Sequence, residues 1–172
     1  MRKSYKNIIR RETVSKLKIA AIAFILSILL SGCANKVGDE VAEYRFNFGG
    51  VEIAVGEDAD KTVAALGEPI KRRSAPSCAG VGVDEMYVYA GFRLIALRTD
   101  AGAEIITVEL TSDAVATPEG VRIGESEERL SEIYGQGRDL GGGVEYSCGN
   151  TTLRFTTLNG RITGIKYLKN SS

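Results

Sequence analysis

The sequence predicts an α+β fold: two tandem units, each a short helix followed by a three-stranded antiparallel sheet, with one sheet face left open. Three observations predict it. Several runs alternate apolar and polar residues with the period of a half-buried strand. Two short segments carry helix start and stop signals. The second half also echoes the first: Gly50-Val51-Glu52-Ile53 returns as Gly120-Val121-Arg122-Ile123, and Gly56-Glu57-Asp58 returns as Gly124-Glu125-Ser126. Such self-similarity is the signature of a repeated supersecondary unit.

Met1 to Lys18 is basic, and Ile19 to Leu30 is an uncharged apolar run of 12 residues. A membrane-spanning helix needs about 20 apolar residues, whereas the apolar region of a secretory signal needs roughly 7–15. Small residues follow, so residues 1–32 read as a signal peptide. Leu30-Ser31-Gly32-Cys33 resembles the lipobox of bacterial lipoproteins. That resemblance implies a diacylglyceryl thioether on Cys33, cleavage before it, and attachment to the extracytoplasmic face of a bacterial membrane. Residues 33–44 then form the lipidated N-terminus and a polar tether.

Unit one occupies 45–112. Val51, Ile53 and Val55 alternate with Glu52 and Ala54 as a strand, which Gly56 ends. Asp58 is a helix N-cap, Ala59, Val63 and Leu66 share a helical face, and Gly67 with Pro69 stops the helix. Ile70 to Asp84 reads as a loop holding Cys78. Strands follow at Glu85–Tyr89, Phe92–Leu97 and Ile105–Leu110, joined by tight turns.

Unit two occupies 113–172. Ser126 takes the cap position, and Leu130, Ile133 and Tyr134 form the buried face of its helix. After Gly141-Gly142-Gly143, strands recur at Val144–Ser147, Thr151–Thr156 and Ile162–Tyr167, with Asn159-Gly160 as a hairpin turn. Ile105, Val108 and Leu110 match Ile162, Ile165 and Tyr167 at an offset of 57.

This layout resembles the SmpA/OmlA and β-lactamase-inhibitory-protein superfamily. The likeness rests on Gly56 to Pro69 in unit one, and on Gly124 to Gly135, Leu153-Arg154-Phe155 and Asn159-Gly160-Arg161-Ile162 in unit two. It implies a domain that clasps another protein, in some members with a concave sheet.

Composition narrows the function. The 172 residues hold 22 basic and 22 acidic side chains, but seven of the basic ones and one acid precede Cys33. From Cys33 onward 15 basic face 21 acidic residues, a net charge of −6. A mildly acidic body argues against nucleic acid, which is held through clustered Lys and Arg. The chain has no histidine. The usual general base, the Ser-His and Cys-His nucleophile arrangements and histidine-containing zinc sites are therefore absent. Neither phosphate-cradling glycine spacing occurs. The reading is of a non-enzyme with no catalytic residue, no metal and no cofactor.

Cys78 and Cys148 are the candidate disulfide, favoured outside the cytoplasm, the alternative being two reduced thiols. Glu109, Arg154 and Lys166 alternate with apolar residues and project from the open face as a candidate partner surface. Tyr87 and Tyr89 share a strand face and are either further anchors of that surface or core. The function that follows is a lipid-anchored protein-binding module with an unidentified protein partner. An envelope-assembly component and an inhibitor of an extracellular enzyme are the alternatives.

Overall fold

The computed structural model describes residues 43–78 and 80–170. The signal region, Cys33 and most of the tether lie outside the described residues. The chain enters through a short ribbon, β1 (Phe46–Phe48) and β2 (Val51–Ile53), turned by Gly49-Gly50. Both glycines have positive φ, 61° and 85°, as a two-residue hairpin turn with the twist of its strands requires.

Helix α1 (Ala59–Leu66) begins where Asp58 accepts hydrogen bonds from the backbone N–H groups of Asp60 and Lys61, at 3.0 and 3.1 Å. It ends at Gly67, whose φ is 81° and whose N–H bonds to the Val63 carbonyl. The strands β3 (Lys71–Pro76), β4 (Val83–Tyr89), β5 (Phe92–Thr99) and β6 (Gly102–Leu110) then run as an antiparallel meander. Helix α2 (Glu128–Tyr134) opens the second half. The strands β7 (Arg138–Asp139), β8 (Gly143–Cys148), β9 (Thr151–Leu158) and β10 (Arg161–Lys169) follow as a second meander. The last turn is Asn159-Gly160, both at positive φ.

The expected architecture is corrected here. The protein is mostly β, and its sheet is one continuous eight-stranded antiparallel sheet in the order β3-β4-β5-β6-β10-β9-β8-β7. It is not a pair of helix-plus-three-stranded units. Two strands of the large sheet escaped the hydrophobic pattern because neither carries one: β3 is exposed along its whole length and β7 is two exposed residues. A run such as Lys-Arg-Arg-Ser-Ala-Pro is chemically a blunted sheet edge, where charge and proline discourage further pairing. The sheets also merge: Leu110 to Thr107 on β6 pair with Ile165 to Leu168 on β10.

The two halves use matching local devices. The Gly56 N–H bonds to the Ile105 carbonyl at 2.7 Å, and the Ile105 N–H bonds to the Glu57 carbonyl at 2.9 Å. Gly124, Ile162 and Glu125 make the same pair of bonds at 2.8 and 2.9 Å. A register shift accompanies each, leaving Ile106 unopposed in β6 and Thr163 unopposed in β10. The extra residue bends its strand, so the first part of each strand takes up the turn that leads into its helix.

The core lies on one face of the sheet, under both helices and the ribbon. Phe46, Phe92, Leu94, Ile105, Leu110, Leu153, Phe155, Ile165 and Tyr167 are 0–1% exposed. Rings interlock through it: Phe46 meets Phe92 at 5.0 Å, Tyr89 stacks on Phe92 at 5.0 Å, and Tyr134 lies 5.3 Å from Phe155. Burial of this apolar area is the main stabilising contribution.

Candidate interaction surface

Side chains alternate across a strand, so fixing the core face fixes the other. The Tyr89 hydroxyl bonds to the Gly67 carbonyl at the end of α1, and Tyr146 bonds likewise to Gly135 at the end of α2. Helices therefore cover the Tyr89 and Tyr146 face. On the opposite face the register aligns one residue from every strand of the large sheet in a transverse row. The row runs Lys71, Val88, Arg93, Glu109, Lys166, Arg154, Glu145, Arg138.

Seven of these eight residues are charged, and six of them form two ion-pair triads. In the first, Arg93 donates twice to Glu109, at 2.8 and 2.7 Å, while the Lys166 ammonium stands 3.7 Å from the same carboxylate. In the second, Glu145 accepts from Arg138 on one oxygen and from Arg154 on the other, the Arg154 Nε contact being 2.5 Å. The Arg138 bond, first among the causes, holds the Glu145 carboxyl below its ordinary value, and Arg154 acts the same way against the opposing effect of burial. Where the triads meet, Lys166 and Arg154 stand directly opposite each other across β9 and β10. Like charges in that position are unfavourable. Val88 in the row is half-buried, and beside the row lie the half-buried apolar side chains Met86, Ile95, Leu97 and Leu168.

Of the residues singled out from sequence, Glu109, Arg154 and Lys166 are brought together in this row. Arg93, Glu145, Arg138 and Lys71 complete it and were not singled out. Strand alternation around Phe92-Arg93-Leu94 and Val144-Glu145-Tyr146 carried the signal for two of them. Nothing periodic marked the edge strands of the others.

Tyr87 and Tyr89 do not belong to this surface. They are 1% and 6% exposed, on the helix-covered face. The Tyr87 hydroxyl donates to Glu85 at 2.6 Å and accepts from Arg72 at 2.9 Å, whose guanidinium stacks 4.8 Å over its ring. Arg98 links the same Glu85, at 2.8 Å, to Asp60 of α1. Hydrogen bonding from Arg98, the first cause, lowers the Glu85 carboxyl pKa. This network ties helix to sheet.

The Cys78–Cys148 bridge is also corrected. Cys78 is a free, exposed thiol. It lies in the β3–β4 turn, and β5, β6, β10 and β9 stand between β4 and the strand that Cys148 ends. Five strand spacings amount to about 24 Å along the sheet, against roughly 6 Å between the α-carbons of a disulfide.

Among the described residues no group of three or more His, Cys, Asp or Glu side chains is placed to hold a metal. A cleft of about 720 Å³ lies between α2 and β8, lined by Leu130, Ser131, Gly135, Val144 and Tyr146. Its phenol is already bonded to backbone, and burial raises that phenol's pKa. No described helix is long and apolar enough to cross a membrane.

No family model matches the chain. No curated protein matches it either. Among solved structures it is similar to an extracellular protein containing an SCP domain from Bacillus anthracis strain Ames. The identity is 16% and the TM-score 0.41, over 67% of this chain and 44% of that one. The chain therefore spans less than half the length of that protein.

Proposed function

We propose that this protein is a lipoprotein, anchored through Cys33 on the extracytoplasmic face of a bacterial membrane, whose domain binds another protein without catalysis. The sheet face opposite the two helices carries the reading: a register-aligned row of seven charged residues bordered by half-buried apolar ones. Half-buried apolar side chains beside ordered polar groups, arginine prominent among them, are features that protein interfaces combine. Glu85 and Glu145, whose pKa values are lowered, are each held by arginines and so lack the raised, poised character of a general acid. The apolar run and Leu30-Ser31-Gly32-Cys33 supply the argument for the anchor.

Two measurements in a bacterial host test the two halves of this reading. Labelled palmitate enters the wild-type chain and not Cys33→Ala; equal labelling removes the anchor. A photo-crosslinking amino acid placed at Ile95 or Thr152, on the open face, yields a protein adduct, while one at Lys61, on α1, does not. Adducts only from Lys61, or from none of the three, remove the binding role of that face.

A further inference from the structure

Natural sheets avoid like charges directly opposite one another, because neither side chain gains a partner and both repel. Here the sheet places Lys166 against Arg154 at the middle of an exposed face, with a carboxylate one strand further out on each side. Each cation is only partly used. Lys166 stands 3.7 Å from a Glu109 that Arg93 already holds by two shorter bonds, and Arg154 shares Glu145 with Arg138. Their side chains remain 40% and 43% exposed. Along the whole row five cations face two carboxylates, an excess of three positive charges on a body whose net charge is −6. The face therefore opposes the sign of the molecule that carries it.

We infer that this face docks an acidic protein segment, with one partner carboxylate seated between Lys166 Nζ and the Arg154 guanidinium. The inference rests on the protein-binding reading above and specifies the partner's chemistry. A carboxylate in that position relieves the repulsion and completes an unbroken alternation of charge from Arg93 to Arg138. Leu168, two residues along β10 from Lys166, and Ile95 and Met86 in line with it on β5 and β4 receive the partner's apolar side chains. The alternation argues for a protein in preference to an anionic bilayer. Anionic headgroups present a single sign and leave Glu109 and Glu145 unmatched, whereas a fixed partner matches signs position by position. Exposed pairs of this kind set specificity and association rate and are screened by salt.

The test uses the full chain in neutral detergent micelles and a fluorescent six-residue peptide of alternating Glu and Val, with a Lys and Val peptide as control. Fluorescence anisotropy is expected to report binding of the acidic peptide alone, weakening on going from 25 to 300 mM NaCl. The Lys166→Gln/Arg154→Gln double variant loses at least tenfold in affinity, while Lys61→Gln on α1 does not change it. Circular dichroism confirms that the double variant is folded. Undiminished binding by the double variant, or binding of neither peptide, overturns the proposal. Preference for the basic peptide overturns the partner's charge while leaving a protein-binding face in place. Displacement of the acidic peptide by phosphatidylglycerol added to the micelles reassigns the face to lipid.

Discussion

Glu145 points away from the core, yet its side chain is only 4% exposed because Arg138 and Arg154 close over it. A carboxylate so enclosed depends on its partners. Glu145→Gln preserves the shape and removes the charge, leaving two guanidiniums without an anion. We expect a loss of about 1.5–3 kcal/mol in urea unfolding, the range for hydrogen bonds to charged groups. Acid removes the same interaction. Because the folded protein holds this carboxyl below the ordinary value of 4.5, the unfolded chain binds protons more readily. The contribution is complete above about pH 4.5 and is lost as the pH falls towards the folded pKa. Urea midpoints at pH 6 and pH 3.5 should therefore diverge in the wild type and diverge less in Glu145→Gln. Glu85 titrates in the same sense and accounts for part of the remaining slope.

At the scale of elements, short polar signals were legible and polar strands were not. Asp58, Gly67 and the Asn159-Gly160 turn stand where their chemistry indicated, since caps and tight turns are decided by a few neighbouring backbone groups. Ser126 is the instructive exception. The residue flanking α2 is Glu127, which makes no side-chain cap bond, and Ser126 only approaches the Glu128 N–H at 3.4 Å. Asp58→Ala should thus speed amide exchange in the first turn of α1 by roughly fivefold, whereas Ser126→Ala leaves α2 unchanged; hydrogen-exchange mass spectrometry reads both. Strands β3 and β7 were illegible for another reason. They are held by backbone pairing to one neighbour and bury no side chain, so hydrophobic periodicity has nothing to register. The charged row combines both cases. Its central members alternate with core residues and were visible; its ends lie on those edge strands.

For the molecule as a whole, the junction of β6 with β10 makes one structure out of two similar halves. Val108, Leu110, Ile165 and Tyr167 meet there and are 0–1% exposed, so the core runs across the junction without a break. Sequence alone shows that the halves resemble each other; it does not show whether their last strands pair, because pairing between strands so far apart leaves no local pattern. A shared core predicts a single unfolding transition, coincident by far-ultraviolet circular dichroism and tyrosine fluorescence. Ile165→Ala should shift that one transition by about 2–5 kcal/mol. Two separated transitions would mean that the halves are held by little more than the connecting chain.

The junction also has a consequence for the order of events during folding. Within each half, every strand of the large sheet pairs with the strand that follows it in sequence, so those hairpins close over short loops. The pairing of Leu110 with Ile165 spans 55 residues. Loop-closure entropy makes such a contact slow to find, and it is rewarded only once both its strands exist. The two meanders thus assemble first and independently, and the search that limits the rate is the collision of two preformed edges.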